Sequence, residues 1–501
     1  MIIPALAVAK AHHGAGRIAE AIHGYEAILA ENPNEPQTLH LLGLLTMEQG
    51  DLVRAERLLQ EAVKVSPTNA YAWYDLGLTF VRLEQLGAAR HSFARAAQEK
   101  PDYAEALFNL ALTFQLVGEE AKASILYRQA ITLKPDFAAA RFNFGVILHA
   151  EEKFEEAIGQ YRQALAADAS LPMASSYIAA ATYSAGDMEG ARRQFETVLS
   201  RAPENALAHY SLARIRCEAY DIDGAVAGLG DAFTSLFKQP LPPRSIAEAA
   251  IPVSRYPVES YREALPSVSQ RLAEHGIRPF LVGGLLIGAL RDDDFLDFDK
   301  DIDFGLEESV TPADLARALD HPDFRCTSEA GPDGVVQSYR FRETTAIDFF
   351  WFYRQGNQMW CGLDWYGQRV RWLHRSFDVV PFHWKGVNVY MPRDADTFLT
   401  ECYGDWRVPD PFFPGWAARN IEGGLRPVTR MMAYGQIFRE TWLGHHKKAM
   451  ALCDHALAID ATLPHLRELQ ERLRADAAPR SGLIVPTFSQ AMGHTFDDFA
   501  G

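Results

Sequence analysis

Ala123-Ser-Ile-Leu-Tyr-Arg-Gln-Ala-Ile-Thr-Leu-Lys-Pro135, followed by Gly145 and Ala157, is one period of a pattern that organises the first half of the chain. Alanine recurs every 34 residues at Ala21, Ala55, Ala89, Ala123, Ala157, Ala191 and Ala225, which makes seven units. A fixed period of this length is the signature of stacked supersecondary units. Twelve residues before each alanine stands a small residue: Ala9, Gly43, Gly77, Ala111, Gly145, Ala179 and Ala213. Two small positions so spaced predict paired helices in close approach. Four residues after each alanine comes a bulky apolar side chain, Tyr25, Leu59, Phe93, Tyr127, Tyr161, Phe195 or Leu229, on the same helical face. Proline closes most units, at Pro33, Pro67, Pro101, Pro135 and Pro203, with Ala169 the one substitution inside the series. A helix must end before such a residue.

The period and these four positions resemble the tetratricopeptide repeat family over residues 1–238. The resemblance implies an α-solenoid whose groove takes a protein or peptide partner. An array that only extends or dimerises the following domain is the alternative. Near Pro240, Pro242 and Pro243 the period stops, and residues 239–258 read as a Pro-rich linker.

Working outward, 501 residues with 48% hydrophobic content exceed a single core, so two or three domains are expected. Five scattered cysteines form no zinc-like cluster and read as reduced thiols of a cytoplasmic protein. The apolar start, Met1 to Ala9, has no basic segment or cleavage site, so secretion is not expected. No apolar run approaches the roughly 20 residues that span a bilayer. A net charge of −16 disfavours nucleic acid as a partner, because such binding depends on basic residues displacing counterions.

From residue 259 the pattern changes. An amphipathic helix running to Gly276 precedes a short strand at Phe280–Val282, and alternating apolar runs at 335–341, 346–353, 370–373 and 387–390 predict a mixed sheet flanked by helices. The expected class is α/β or α+β over residues 259–425. Within it, Gly283 and Gly284 open a helix that reaches Arg291, and Asp299-Lys-Asp-Ile-Asp303 enters a strand. Strand alternation puts Asp299, Asp301 and Asp303 on one face, successive aspartates about 6.6–6.8 Å apart at Cα. Like charges so close need a cation, and hard carboxylate oxygens select Mg2+ or Mn2+. Asp-x-Asp pairs are also common at strand ends and turns that bind nothing. Asp348 lies alone in the apolar run Ala346-Ile-Asp-Phe-Phe-Trp-Phe-Tyr353, where an unpaired carboxylate is costly. It either completes a metal site with Asp301 and Asp303 or pairs with Arg340, Arg342 or Lys300. The Gly283-Gly284 turn lets a phosphate approach a helix N-terminus, and Arg291 is placed to hold another phosphate oxygen. Lys300 neutralises the acidic cluster or is solvated, and Asp292-Asp-Asp294 reads as an exposed turn.

Four blocks in order resemble the LicD and fukutin-type transferase family over about residues 270–410: Gly283-Gly-Leu-Leu-Ile-Gly-Ala-Leu-Arg291, Leu296 to Gly305, Ile347-Asp-Phe-Phe350, and Val387-Asn-Val-Tyr-Met-Pro392 with Tyr403-Gly-Asp-Trp406. The resemblance implies a nucleotidyltransferase-like fold that moves a phosphate-linked alcohol from a CDP-activated donor to a glycan acceptor. It makes Asp299, Asp301, Asp303 and Asp348 the metal-binding aspartates. Asp297 and Lys300 depart from many bacterial members, so donor preference does not carry over.

Gly404 is expected to cap a helix. Residues 426–475 return to helical periodicity, with Ala449, Ala456 and Ala461 suggesting one degenerate repeat that caps either domain, and 476–501 read as a disordered tail. His374, His383, His445 and His446 lack metal-ligand spacing and are expected to be structural or surface groups. The function expected is therefore a divalent-metal-dependent phosphotransferase. Asp301, Asp303 and Asp348 hold the ion, Asp299 is general base or second-metal ligand, and Gly283, Gly284, Arg291 and Lys300 bind substrate. A repeat scaffold with an inactive domain, and a nucleotidyltransferase that attaches the nucleoside monophosphate itself, are the alternatives.

Overall fold

The computed structural model describes residues 2–171, 173–242, 258–296, 299–330, 335–410 and 412–475. The expected linker lies for the most part, and the expected tail entirely, outside the described residues. The chain forms two compact units, one running to Pro203 and one from Glu204.

The first unit is six helix hairpins: α1 (Ile2–Gly14) with α2 (Ile18–Glu31), α3 (Pro36–Glu48) with α4 (Leu52–Val65), α5 (Ala70–Arg82) with α6 (Leu86–Glu99), α7 (Ala104–Leu116) with α8 (Glu120–Leu133), α9 (Ala138–Ala150) with α10 (Phe154–Ala167), and α11 (Ala174–Ser184) with α12 (Met188–Arg201). Second helices end two residues before Pro33, Pro67, Pro101, Pro135 and Pro203, as the missing N–H of proline requires. The periodic alanines from Ala21 to Ala191 are fully buried. The small positions face the bulky ones of their own unit. A methyl group on Gly43, Gly77 or Gly145 would stand 2.7, 2.6 and 2.7 Å from Leu59, Phe93 and Tyr161.

The second unit begins with a seventh hairpin, α13 (Ala206–Glu218) and α14 (Ile222–Phe237). After α15 (Val258–Glu274) comes a nine-stranded sheet: β1 (Phe280–Leu281), β2 (Asp301–Glu307), β3 (Phe324–Ser328), β4 (Val336–Phe341), β5 (Thr345–Gln355), β6 (Gln358–Trp365), β7 (Gln368–Arg375), β8 (Val379–Trp384) and β9 (Val387–Pro392). The order is β3-β4-β5-β2-β1-β9-β8, with β6 and β7 continuing from the far end of β5. β2 runs parallel to β5 and β1 parallel to β9, and the remaining pairs are antiparallel. The sheet is therefore mixed. Its core is Ile302, Phe304 and Leu306 of β2 against Ile347, Phe349 and Trp351 of β5, all buried. Helices α16 (Gly283–Ile287), α17 (Pro312–Ala318) and α18 (Ala395–Tyr403) attend the sheet, and α16 runs into a π-helical turn at Gly288–Asp292.

β3, β6 and β8 were not expected. β3 has no alternation of apolar residues, Gly362 interrupts β6, and β8 carries Pro381, which is tolerated because β8 is an edge strand.

The chain closes with α19 (Pro427–Trp442), α20 (His446–Ile459) and α21 (Pro464–Ala475). Rather than capping the sheet, α19 packs on α14: the Phe233 ring meets Tyr434 at 5.5 Å and Phe438 at 5.4 Å, and Tyr210 stacks on Phe438 at 4.9 Å. The hairpin keeps the repeat register. Ala449 donates its N–H to His445 O as Ala225 does to Asp221 O, and buried Cys453 follows four residues later as Leu229 does. Asp460 ends α20 with the backbone angles (−137°, 96°) of a repeat terminus such as Lys100 (−137°, 87°). Of the three alanines expected to mark this unit, Ala461 falls after the helix. The sheet domain thus lies, along the chain, between two hairpins of the second unit that pack on each other. All five cysteines are unbridged, and no described helix is long and apolar enough to cross a membrane.

Candidate functional site

The parallel pairing of β2 and β5 sets Asp303 beside Asp348, with Asp301 one alternation earlier on β2. One oxygen from each of Asp301, Asp303 and Asp348 lies within 4.8 Å of the others. Asp348 is hydrogen-bonded to Ser338 on the neighbouring β4, and Lys300 and Arg340 favour its ionised form at a distance. Arg342 is turned away, to Glu263 and Asp323.

Asp299 precedes the strand and is reached differently. Its carboxyl shares a hydrogen bond with Asp301, and its backbone oxygen accepts from Tyr261 Oη at 2.8 Å. Gly283 and Gly284 form the first turn of α16, and what approaches their Cα atoms is carboxylate. A β-carbon on Gly283 would stand 2.5 Å from Asp303 Oδ2, and one on Gly284 would collide with Asp299 Oδ2. Gly283 also has φ +57°, a conformation that favours glycine. These glycines thus make room for the acidic cluster, where phosphate contact was expected from them.

Burial first, and then mutual repulsion, raise the aspartates. Asp299 and Asp303 are held well above the ordinary carboxylate range and Asp301 is pushed up to about 6. Burial also raises Asp348. Lys300 opposes these shifts at all four, so its charge is felt by the cluster. Among the described residues, Asp303 Oδ1 is buried with no hydrogen-bond partner. An orphaned carboxylate oxygen among two others is a donor set that a hard divalent cation satisfies and that protein groups here do not. The residues therefore fit a hard divalent cation.

Arg291 differs from expectation. Its Nε and Nη2 donate to Asp292 at 3.0 and 2.8 Å and its Nη1 to Trp406 O at 3.2 Å. The acidic triplet is not a free turn either: Trp384 Nε1 donates to Asp293 at 3.0 Å, and Asp294 pairs with Arg262 and Lys385.

Gly283, Gly284, Arg291, Asp299, Lys300, Asp301 and Asp303 line one cleft of about 520 Å3. Later segments line it too. Phe398 and Tyr403 come from α18, Trp406, Asp410, Phe413 and Arg419 from the segment beyond it, and His455 from α20. His455 pairs with Asp410 at 2.8 Å and lies edge-on to Phe413 at 5.2 Å. His374 also lines it, stacked on Phe398 at 4.5 Å, and burial pushes it down to about 3, so it is a neutral packing group. Arg419 and His455 carry no local motif and were not read from the sequence.

This is the architecture of a helical repeat protein bearing a mixed-sheet domain with a carboxylate-lined cleft. Residues 276–394 match the family LicD/FKTN/FKRP, nucleotidyltransferase domain, and five stretches match the tetratricopeptide repeat, four of them overlapping between residues 6 and 172 and a fifth at 179–235. The chain carries a tetratricopeptide repeat array and a nucleotidyltransferase domain of the LicD/FKTN/FKRP family. Among curated relatives, ribitol-5-phosphate transferase FKTN of Homo sapiens is 22% identical over 156 residues, covering 30% of this chain and 34% of that protein. Ribitol 5-phosphate transferase FKRP of Mus musculus is 24% identical over 184 residues, covering 33% and 36%. The chain thus spans about a third of the length of the curated relatives it matches. Solved structures similar to it include MamA (28% identity, TM-score 0.31, 32% of this chain and 94% of that one) and YrrB, a TPR protein with an unusual peptide-binding site (20%, 0.34, 37% and 95%).

Proposed function

We propose that the sheet domain is a divalent-metal-dependent phosphotransferase that moves a phosphate-linked alcohol from a CDP-activated donor to a glycan or glycoconjugate acceptor. The observation that carries this reading is the convergence of Asp301, Asp303 and Asp348 with a buried, unpartnered oxygen on Asp303. The similarity to ribitol-5-phosphate transferases supplies the substrate class. Asp301, Asp303 and Asp348 would hold Mg2+ or Mn2+. A cation held there would supply the positive charge that a diphosphate donor requires. The acceptor oxygen forms the new bond to phosphorus, the bond to the nucleoside monophosphate breaks, and the acceptor's proton needs a base. Asp299, hydrogen-bonded to Asp301 at the cleft, would hold or move that proton. Lys300 tempers repulsion among the four aspartates. The repeat array, through its groove, recruits the acceptor or a protein partner.

The test is a thermal-shift screen of the full chain with CDP, CTP, UDP and GDP compounds, with and without Mn2+, beside Asp301→Asn. Stabilisation by a cytidine diphosphate compound that needs Mn2+ and is lost in the variant is the expected result. Without a shift from any nucleotide the reading fails in favour of a repeat scaffold, and the mass of the product separates alcohol-phosphate transfer from transfer of the nucleoside monophosphate.

A further inference from the structure

The cations of the cleft are not equivalent. All three kinds of guanidinium nitrogen in Arg291 are engaged, by Asp292 and by the Trp406 carbonyl, and the side chain is only 12% exposed. Its charge is already balanced. His455 is matched by Asp410. Lys300 is a single ammonium beside four aspartates. Arg419 is the exception: it lines the cleft, is solvent-accessible, and among the described residues its guanidinium has no ion pair and no hydrogen bond.

Nor is Arg419 loosely placed. Its backbone N–H donates to Cys402 O at 3.0 Å, which ties the loop to the end of α18. Its guanidinium lies across the Cα of Gly404, so that a β-carbon at residue 404 would collide with Cζ and both terminal nitrogens. Gly404 ends α18 with φ +70° and ψ −120°, angles that an L side chain rarely adopts. The glycine expected as a helix cap is thus also the seat of an arginine. The result is a pre-positioned planar fork with its donors unspent, which is the group that matches two oxygens of one phosphate.

Charge balance indicates what the fork is for. A divalent ion held by Asp301, Asp303 and Asp348 is already met by protein carboxylates, and Asp405 adds further negative charge to the lining. A diphosphate entering this cleft needs a cation that no carboxylate has claimed. We infer that Arg419, rather than Arg291, clamps two oxygens of the nucleotide donor's diphosphate, through two N–H donors, in the same cleft as the carboxylates. The inference rests on the metal-and-diphosphate reading above and adds the residue that sets diphosphate affinity. Arg419 lies beyond residues 276–394, the stretch that matches the family domain, so this half of the site belongs to the loop between that domain and the last hairpin.

Isothermal titration of the full chain with Mn2+ alone, then with inorganic pyrophosphate and with CDP in the presence of Mn2+, tests it in wild type, Arg419→Ala, Arg419→Lys and Asp303→Asn. Circular dichroism of each variant checks the fold. Arg419→Ala is expected to bind Mn2+ as wild type does while pyrophosphate and CDP bind at least tenfold more weakly, with Arg419→Lys, a point charge without the fork, falling between. If Arg419→Ala binds Mn2+–pyrophosphate as tightly as wild type while Asp303→Asn does not bind it, the assignment of Arg419 is overturned and the metal reading stands. If wild type binds neither Mn2+ nor pyrophosphate, both fall together.

Discussion

Asp299 and Asp303 can lie under the first turn of α16 only because residues 283 and 284 lack side chains. Gly284→Ala is expected to displace the Asp299 carboxyl and to weaken the Mn2+-dependent thermal shift. Gly283→Ala adds backbone strain at φ +57° and is expected to destabilise by more than about 1 kcal/mol in urea denaturation. The aspartates themselves oppose folding when no cation is present. A carboxyl such as Asp301, pushed to about 6 from 3.8, represents up to about 3 kcal/mol of unfavourable burial at neutral pH. Asp301→Asn is therefore expected to raise the stability of the metal-free chain while abolishing its response to Mn2+. Two melting curves, with and without Mn2+, check both signs. The side-by-side placement of Asp301, Asp303 and Asp348 was legible because strand alternation has period two and the parallel partner strand shares its register. Two facts about arginines were not. Whether Arg291 spends its donors on its neighbour Asp292 depends on the path of one turn. Arg419 reaches the cleft only through the chain's return past Cys402, and nothing in its local sequence marks that.

At the scale of single helices, the repeat hairpins balance propensity against packing. Alanine is a better helix former than glycine by about 1 kcal/mol, yet a methyl on Gly77 would meet the Phe93 ring at 2.6 Å. Gly77→Ala is expected to destabilise by about 1–3 kcal/mol, and chemical denaturation reads whether packing wins. In the last hairpin, Glu440 of α19 is 2% exposed and contacts Arg439 at 2.6 Å, His445 at 2.8 Å and Lys448 at 3.3 Å. Burial by itself would raise this carboxyl, but the His445 hydrogen bond and the two cations hold it well below 4.5. A depressed carboxyl stabilises the fold above its unfolded value, near 4.5, and that contribution is lost as pH falls toward the folded value. Glu440→Gln is expected to cost about 3 kcal/mol at pH 7, with the difference from wild type shrinking below about pH 4.5. Denaturant titrations at the two pH values check it. Helices with a fixed period declared themselves in the sequence, whereas β3, β6 and β8 did not. Their side chains do not alternate cleanly, and only pairing with neighbours makes them strands.

For the molecule as a whole, the decisive contact is that of α14 with α19, which joins the two hairpins that flank the sheet domain in the sequence. Phe233 is fully buried between Tyr434, Phe438 and His465. Phe233→Ala is expected to cost about 3–5 kcal/mol and to open residues 427–475 to limited proteolysis before the sheet domain is cut. Both the repeats and the sheet were visible as separate patterns, and the later helical segment was visible as repeat-like. That it docks on α14 was not visible, because periodicity reports what lies 34 residues away and is silent about a partner beyond an intervening domain. The same arrangement has a consequence in time. Synthesis at about 5–20 residues per second takes roughly 10–40 s to pass from the end of α14 to the end of α19. Throughout that interval Phe233 and its neighbours on α14 await the surface that will cover them. A nascent chain stalled within the sheet domain therefore carries a bare aromatic face, open to chaperones and proteases until the last hairpin emerges.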